Sequence, residues 1–136
     1  MTIKYNNVFI EDAYTICGNY ENDGPLSKYF DKKYEKDLYF GEKSWEQAEV
    51  HLLKEANTNI LKKKKLKEED IDLLISGDLQ NQIAASNYMA REFNIPFLGI
   101  FEACSTSGEG LAIGSTYIEG GFAQKILVST SSHNMA

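Results

Sequence analysis

The 136-residue chain is poor in cysteine, histidine, proline and tryptophan, and it holds no long hydrophobic run. Two cysteines, Cys17 and Cys104, cannot build the disulfide framework of a small secreted domain, so a reducing compartment is the default. Neither the cysteines nor the two histidines, His51 and His133, have metal-ligand spacing, and no metal or cofactor is expected. No stretch is long and apolar enough to span a bilayer. No signal peptide is expected either, because Lys4, Tyr5, Asn6 and Asn7 lead into no long apolar region. Any membrane role is then expected to run through partners. Positive charge is also short: Lys and Arg number 14 against 20 Asp and Glu, for a net charge of −6. Non-specific nucleic-acid binding needs a clustered positive surface and is not expected. Phosphate loops, dinucleotide fingerprints and internal repeats are absent as well.

What is present alternates. Residues 8–18 carry β-formers and read as a first strand. Residues 19–43 are polar and aromatic, with a turn at Asn22, Asp23, Gly24 and Pro25. They read as a loop or short helix packed on the domain, or as an interface arm. Residues 44–62 read as a helix with Ser44 as cap and Gln47 completing S-x-x-Q. Its expected buried stripe is Trp45, Ala48, Leu52, Ala56 and Ile60. His51 lies beside that stripe and reads as a surface or half-buried side chain. The basic run 62–65 suits the helix end. Residues 71–76 (IDLLIS) read as a buried strand, 81–93 as a helix with Ile83, Ala84, Tyr88 and Ala90 or Phe93 inward, 97–101 as a fully buried strand, and 125–131 as a last strand. Alternating strands and helices predict an α/β fold, a mainly parallel sheet flanked by helices.

The chain is organised around residues 95–121, where a strand hands over to Cys104 and then to a helix of small residues. A thiol at the end of a strand and the first turn of a helix sits where unpaired N–H groups and the helix dipole favour a thiolate. It is also where an open α/β sheet places a ligand or nucleophile. Ser105, Thr106 and Ser107 are possible caps. Gly108, Gly110, Ala112, Gly114 and Ser115 make a poor free-standing helix, each interior glycine costing about 0.8–1 kcal/mol against alanine. The helix is therefore expected to be buried on more than one side, with a further layer beyond it. Cys17 reads as a core thiol.

ACST at 103–106, with its small-residue helix, resembles the nucleophilic-cysteine turn of the thiolase superfamily. Within it, GEKSWEQAE (41–49), SGDLQNQIAASN (76–87), IPFLGIFEACST (95–106) and GGFAQKILVSTSSHN (120–134) are similar to the stage V sporulation protein AD family. That resemblance implies a duplicated fold of two halves, each with a five-stranded mixed sheet, the glycine-rich helix lying in the layer between them. Residues 1–136 would be an incomplete amino-terminal half, without its last strand or the second half's catalytic histidines and asparagine. The abrupt end after the last strand gives the same expectation of a fragment.

Three readings stand for Cys104: a buried small hydrophobe, an acyl-accepting nucleophile, or a residue lining a binding pocket in a fold without catalysis. Its position favours the last two. The resemblance implies the last, in a non-enzymatic subunit that binds dipicolinic acid for uptake into the developing spore. It also implies other stage V sporulation proteins of the spore membrane as partners. The full-length form would be a homodimer, cytoplasmic or in the forespore, held at the inner spore membrane through those partners. The alternative is a thiolase or β-ketoacyl synthase type of condensing enzyme. Dipicolinate is a planar ring with two carboxylates, and helix-start N–H groups suit such an anion. The candidate ligand-binding residues are Cys104, Ser105, Thr106, Asn81, Ser132 and His133, with Gln80 a weaker candidate. Asp78 and Glu102 would repel a dianion.

Overall fold

The computed structural model describes residues 2–132. His133 and the three residues after it lie outside the described residues. The centre is a parallel sheet of three strands in the order β4–β3–β5. Here β3 is Leu73–Gly77, β4 is Phe97–Gly99 and β5 is Ile126–Thr130. Ile75 stands opposite Leu98 on one side and Val128 on the other. Alternation along β3 sends successive side chains to opposite faces. Leu74 joins a core with Leu53, Leu61, Ala85 and Met89 from the helices α2 (Trp45–Lys64) and α3 (Ala84–Ala90). Ile75 faces the small-residue helix α4 (Thr106–Glu119) on the other side. All three strands point the same way, so the segments that follow them emerge along one edge. That edge is where the candidate residues lie.

β3 is the buried strand its sequence predicts, with Leu74 and Ile75 fully enclosed. β4 is not. It is the edge of the described sheet, with Phe97 and Leu98 half-buried and Gly99 exposed. The first strand is also shorter than expected. Only β1, Ile16–Cys17, pairs, in parallel with β2, Lys32–Lys33, as a separate two-stranded sheet. A strand exists through its ladder, and residues 8–15 have no neighbouring strand among the described residues. Phe9 and Ile10 are exposed.

α2 starts and stops as its sequence dictates. Ser44 is extended and its Oγ accepts from the Gln47 N–H at 3.3 Å. The Gln47 side chain accepts from the Lys43 N–H instead of closing onto Ser44 itself. Lys65, in the left-handed region at φ 56, ends the helix by donating to the Leu61 and Lys62 carbonyls. The buried face differs from the expected one. It is Ala48, Glu49, Leu53, Asn57 and Leu61, while Leu52, Ala56 and Ile60 are half-buried beside an open cavity. α3 is shorter than residues 81–93: a 3-10 turn, Asn81–Ile83, precedes it, with Gln82 and Ile83 both at positive φ. Its inward residues are Ala85, Ser86, Met89 and Ala90, and Tyr88 is exposed.

The aromatic segment after β1 packs on the domain through part of its aromatic side chains. A short helix α1, Asn19–Asn22, opens it. Phe40 is buried, its ring 4.6 Å from that of Tyr34, and Tyr39 lies 4.3 Å from Trp45 on α2. Tyr20, Leu26 and Tyr29 remain exposed.

α4 meets the sheet through its glycines. A Cβ on Gly110 would come within 2.6 Å of Val128, while one on Gly114 would find ordinary contacts at 3.5 Å. The partner that comes close is the sheet's own side-chain layer. On the outer side, Gly108 has nothing nearby, and Leu111 and Ala112 are exposed. Among the described residues the helix is therefore covered by the sheet alone on its buried side. The amino-terminal segment crosses one end of it: the Tyr5 hydroxyl donates to the Ala112 carbonyl, and Glu119 accepts from the Asn6 and Asn7 N–H groups.

Candidate functional site

Three strand ends and one helix start define the candidate site. After β4 the chain runs through Ile100, Phe101 and Glu102 into the 3-10 turn Ala103–Ser105, and α4 follows at once. Ala103 takes positive φ, 44°, which lets the chain turn sharply ahead of Cys104. The Cys104 thiol is exposed. Among the described residues nothing encloses it. Ser105 is exposed as well. Its Oγ donates to the Glu102 carbonyl at 3.0 Å and makes no cap to α4.

Thr106 does not belong with them. It is 4% exposed, its Oγ1 donates to the Ala103 carbonyl at 2.8 Å, and it accepts from the Glu102 N–H at 3.2 Å. Its methyl packs on β3, where a Cβ on Gly77 would lie 2.6 Å from it. Thr106 therefore builds the turn that presents Cys104, and its hydroxyl is not available to a ligand.

After β3 the chain forms Asp78, Leu79 and Gln80. Asp78 is 1% exposed and wholly engaged: Oδ1 accepts from the Gln80 N–H at 2.8 Å and Oδ2 from the Ser86 N–H at 2.7 Å. It shapes the turn into α3 and does not face a ligand. Gln80 donates through Nε2 to Glu49 at 2.9 Å. Asn81 is exposed at the start of the 3-10 turn. After β5, the Ser131 Oγ donates to the other oxygen of Glu49 at 2.6 Å, and Ser132 is exposed. The structure thus places Cys104, Ser105, Asn81 and Ser132 in the segments that leave one edge of the sheet.

Sequence reasoning missed what lies beneath. Glu49, 3% exposed on α2, joins the turns after β3 and β5. Its signal was the i, i+4, i+8 series Glu49, Leu53, Asn57, which a polar residue at each end disguises as a solvent face. A second buried polar series crosses the sheet. Asn57 donates to Met89 Sδ and to Ser129 Oγ, Ser129 to Ser76 at 3.1 Å, and Ser76 to Ser86 at 3.3 Å. It joins α2, β5, β3 and α3, and each buried hydroxyl finds a partner.

An open cavity of about 670 Å³ lies elsewhere. It lies between the amino-terminal segment, α2, α4 and β5, and is lined mainly by apolar side chains such as Phe9, Leu52, Ile60, Leu111 and Ile118. Ser131 and Ser132 reach it, and Cys104 does not. His51 is half-buried and structural: Nδ1 lies 3.0 Å from Glu42 and Nε2 3.2 Å from the Tyr34 hydroxyl. Tyr34 also donates to Glu55 at 2.8 Å, and burial first, then Glu55, pushes its phenol above the usual range. Cys17 is a buried core thiol, as expected, and burial raises its thiol. Among the described residues no group of His, Cys, Asp or Glu could hold a metal ion. No helix there is long and apolar enough to cross a membrane.

The comparisons with known proteins give the fold and the family. The fold is similar to that of 3-oxoacyl-[acyl-carrier-protein] synthase III from Aquifex aeolicus VF5, with a TM-score of 0.53 and 23% identity over 68% of this chain and 30% of that one. That synthase has the thiolase-like fold, and the present chain shares its parallel sheet flanked by helices. The chain is 48% identical over 127 residues to stage V sporulation protein AD of Bacillus subtilis (strain 168). The match covers 93% of this chain and 37% of that relative, so the chain spans well under half the relative's length. The family model for stage V sporulation protein AD matches residues 1–136. The chain belongs to the stage V sporulation protein AD family.

Proposed function

We propose that this chain forms part of a non-enzymatic subunit that binds dipicolinic acid during its uptake into the developing spore. Membership of a sporulation family supports the setting. The observation that carries the binding reading is the arrangement at the sheet edge: an exposed Cys104 and Ser105 at the start of α4, with polar Asn81 and Ser132 after the neighbouring strands. A planar dicarboxylate needs donors spread along such an edge, and the first turn of a helix of 14 residues offers N–H groups to one carboxylate. Glu49 and Asp78 beneath the edge are each engaged by two donors, so their oxygens point into the protein's own hydrogen bonds. His133 stays in the proposal as a residue just past β5.

Longer relatives complete the picture. We propose that the part of such a protein not represented here covers the outer side of α4, making a second thiolase-like half. In this reading the subunit is a homodimer and works with other stage V sporulation proteins at the inner spore membrane. Calorimetry on the full-length protein tests the binding: heat that saturates with dipicolinate supports it, and none refutes it.

One observation favours the enzymatic alternative. Cys104 is exposed in the turn directly before α4, where an acyl group could reach its sulfur. Among the described residues His51 is held by Glu42 and Tyr34. Mass spectrometry after exposure to acyl-CoA separates the readings. A stable acyl adduct on Cys104 would replace the binding proposal with an acyl-transfer one.

A further inference from the structure

Glu49 is a buried carboxylate with no cation. It is 3% exposed, and among the described residues no lysine, arginine or histidine pairs with it. Burying a charge in this way opposes folding. Its two oxygens have separate tasks: Oε1 accepts from Ser131 Oγ at 2.6 Å, and Oε2 from Gln80 Nε2 at 2.9 Å. A glutamine of the same shape keeps both partners only by reversing the Ser131 bond, its amide donating to the hydroxyl, whereas a leucine offers neither donor an acceptor. The carboxylate receives two donors from two different strand ends on one side chain. Gln80 is held a second time, its N–H donating to Asp78 at 2.8 Å, and Asp78 in turn accepts from Ser86 at the start of α3. Ser131 is anchored to the neighbouring strand by its N–H, which donates to the Gly77 carbonyl at 3.4 Å.

We propose that Glu49 is the positioning residue of the sheet's carboxyl edge. From α2 it clasps the turn after β3 and the end of β5, and so sets the spacing of the surface on which the dicarboxylate binds. The ligand in this statement rests on the function proposed above, whereas the clasp does not.

The test uses the full-length protein and two readouts: amide hydrogen exchange without ligand, and calorimetry with dipicolinate. In Glu49→Leu, the amides of residues 78–83 and 129–132 exchange at least about tenfold faster, as expected when buried hydrogen bonds are lost. Dipicolinate affinity falls by a similar factor. The double variant Glu49→Gln with Gln80→Glu reverses the direction of one bond and keeps both: the amide of the new glutamine donates to the new carboxylate, and its oxygen accepts from Ser131. Exchange and affinity both return toward wild type. If Glu49→Leu proves unable to fold, Ser131→Ala loosens residues 129–132 alone and tests the same arm. A lowered melting temperature with unchanged local exchange and unchanged affinity would overturn the clasp. If the wild type gives no heat with dipicolinate, the proposed function fails, and the exchange pattern alone still decides whether Glu49 holds the two turns together.

Discussion

Single residues in this chain differ sharply in how much they can be changed, and contact distance says which. Gly110 and Gly114 look alike in sequence, one turn apart on α4. A Cβ at position 114 meets Ile126, Val128 and Ile75 at 3.5 to 3.6 Å, whereas one at 110 meets Val128 at 2.6 Å. Gly114→Ala should therefore hold or raise stability by up to about 1 kcal/mol, through a less flexible unfolded chain. Gly110→Ala should lower it by about 1–3 kcal/mol, because β-branched Val128 has little freedom to move aside. Denaturant midpoints of the two variants check this, and equal midpoints would contradict it. Gly77 is stricter still, since a Cβ would lie 2.2 Å from the Ile100 carbonyl oxygen, which is backbone. At this scale the sequence showed that small residues were required, and it located Cys104 at a turn. It could not show that the close neighbour of Gly110 is a valine of the chain's own sheet. Nor could it tell that Thr106 is buried where Ser105 is exposed, because both residues fit a cap.

Among the elements, α2 was the most legible, because its limits are local chemistry. Ser44→Ala should cost about 1 kcal/mol by removing the bond to the Gln47 N–H, with Ser44→Gly costing less. Thermal melts of the two variants check that order. Its buried face was not legible. Glu49 and Asn57 point inward to meet donors and acceptors on β5, α3 and the turn after β3, and periodicity alone counts such residues as outward. β5 was found, but residues 8–15 were overread, since β-formers cannot supply the missing neighbour strand. What holds that segment is charge. Lys125 first holds the Glu11 carboxyl below the usual range, Lys63 first does so for Asp12, and for Glu119 the Asn7 N–H comes first. A carboxyl lowered in the folded state stabilises fully above its unfolded value, about pH 4, and loses that contribution as pH falls through the folded value. Acid should therefore loosen residues 5–13 from α2, α4 and the start of β5 before the sheet melts. Chemical shifts of those residues between about pH 6 and pH 2.5 would show it. Movement of the whole sheet at the same pH would contradict it.

For the whole molecule, the parallel α/β architecture was legible because strand and helix patterns alternate and each βα unit is short. The family was legible from four long segments, and the matching family model covers the full chain. The site was legible only as an edge. Cys104, Ser105, Asn81 and Ser132 do share it, yet the clasp beneath them and the large cavity beside β5 depend on packing that no local pattern encodes. The surface adds a further prediction. Phe9, Phe101, Leu111, Tyr117 and Phe122 are exposed, and β4 and β5 each pair on one side only among the described residues. Unpaired strand edges and exposed apolar side chains promote association. Residues 1–136 produced alone should therefore associate in sedimentation experiments, and a cooperatively melting monomer would contradict the proposal that a second half covers α4. The most direct test of the central claim is titration calorimetry of dipicolinate into the full-length protein, run for wild type and for Cys104→Ser. Saturable heat in the wild type, largely kept in the serine variant, is the predicted result, because binding needs a small polar contact at that place and not a nucleophile. Absence of heat in the wild type would contradict the account.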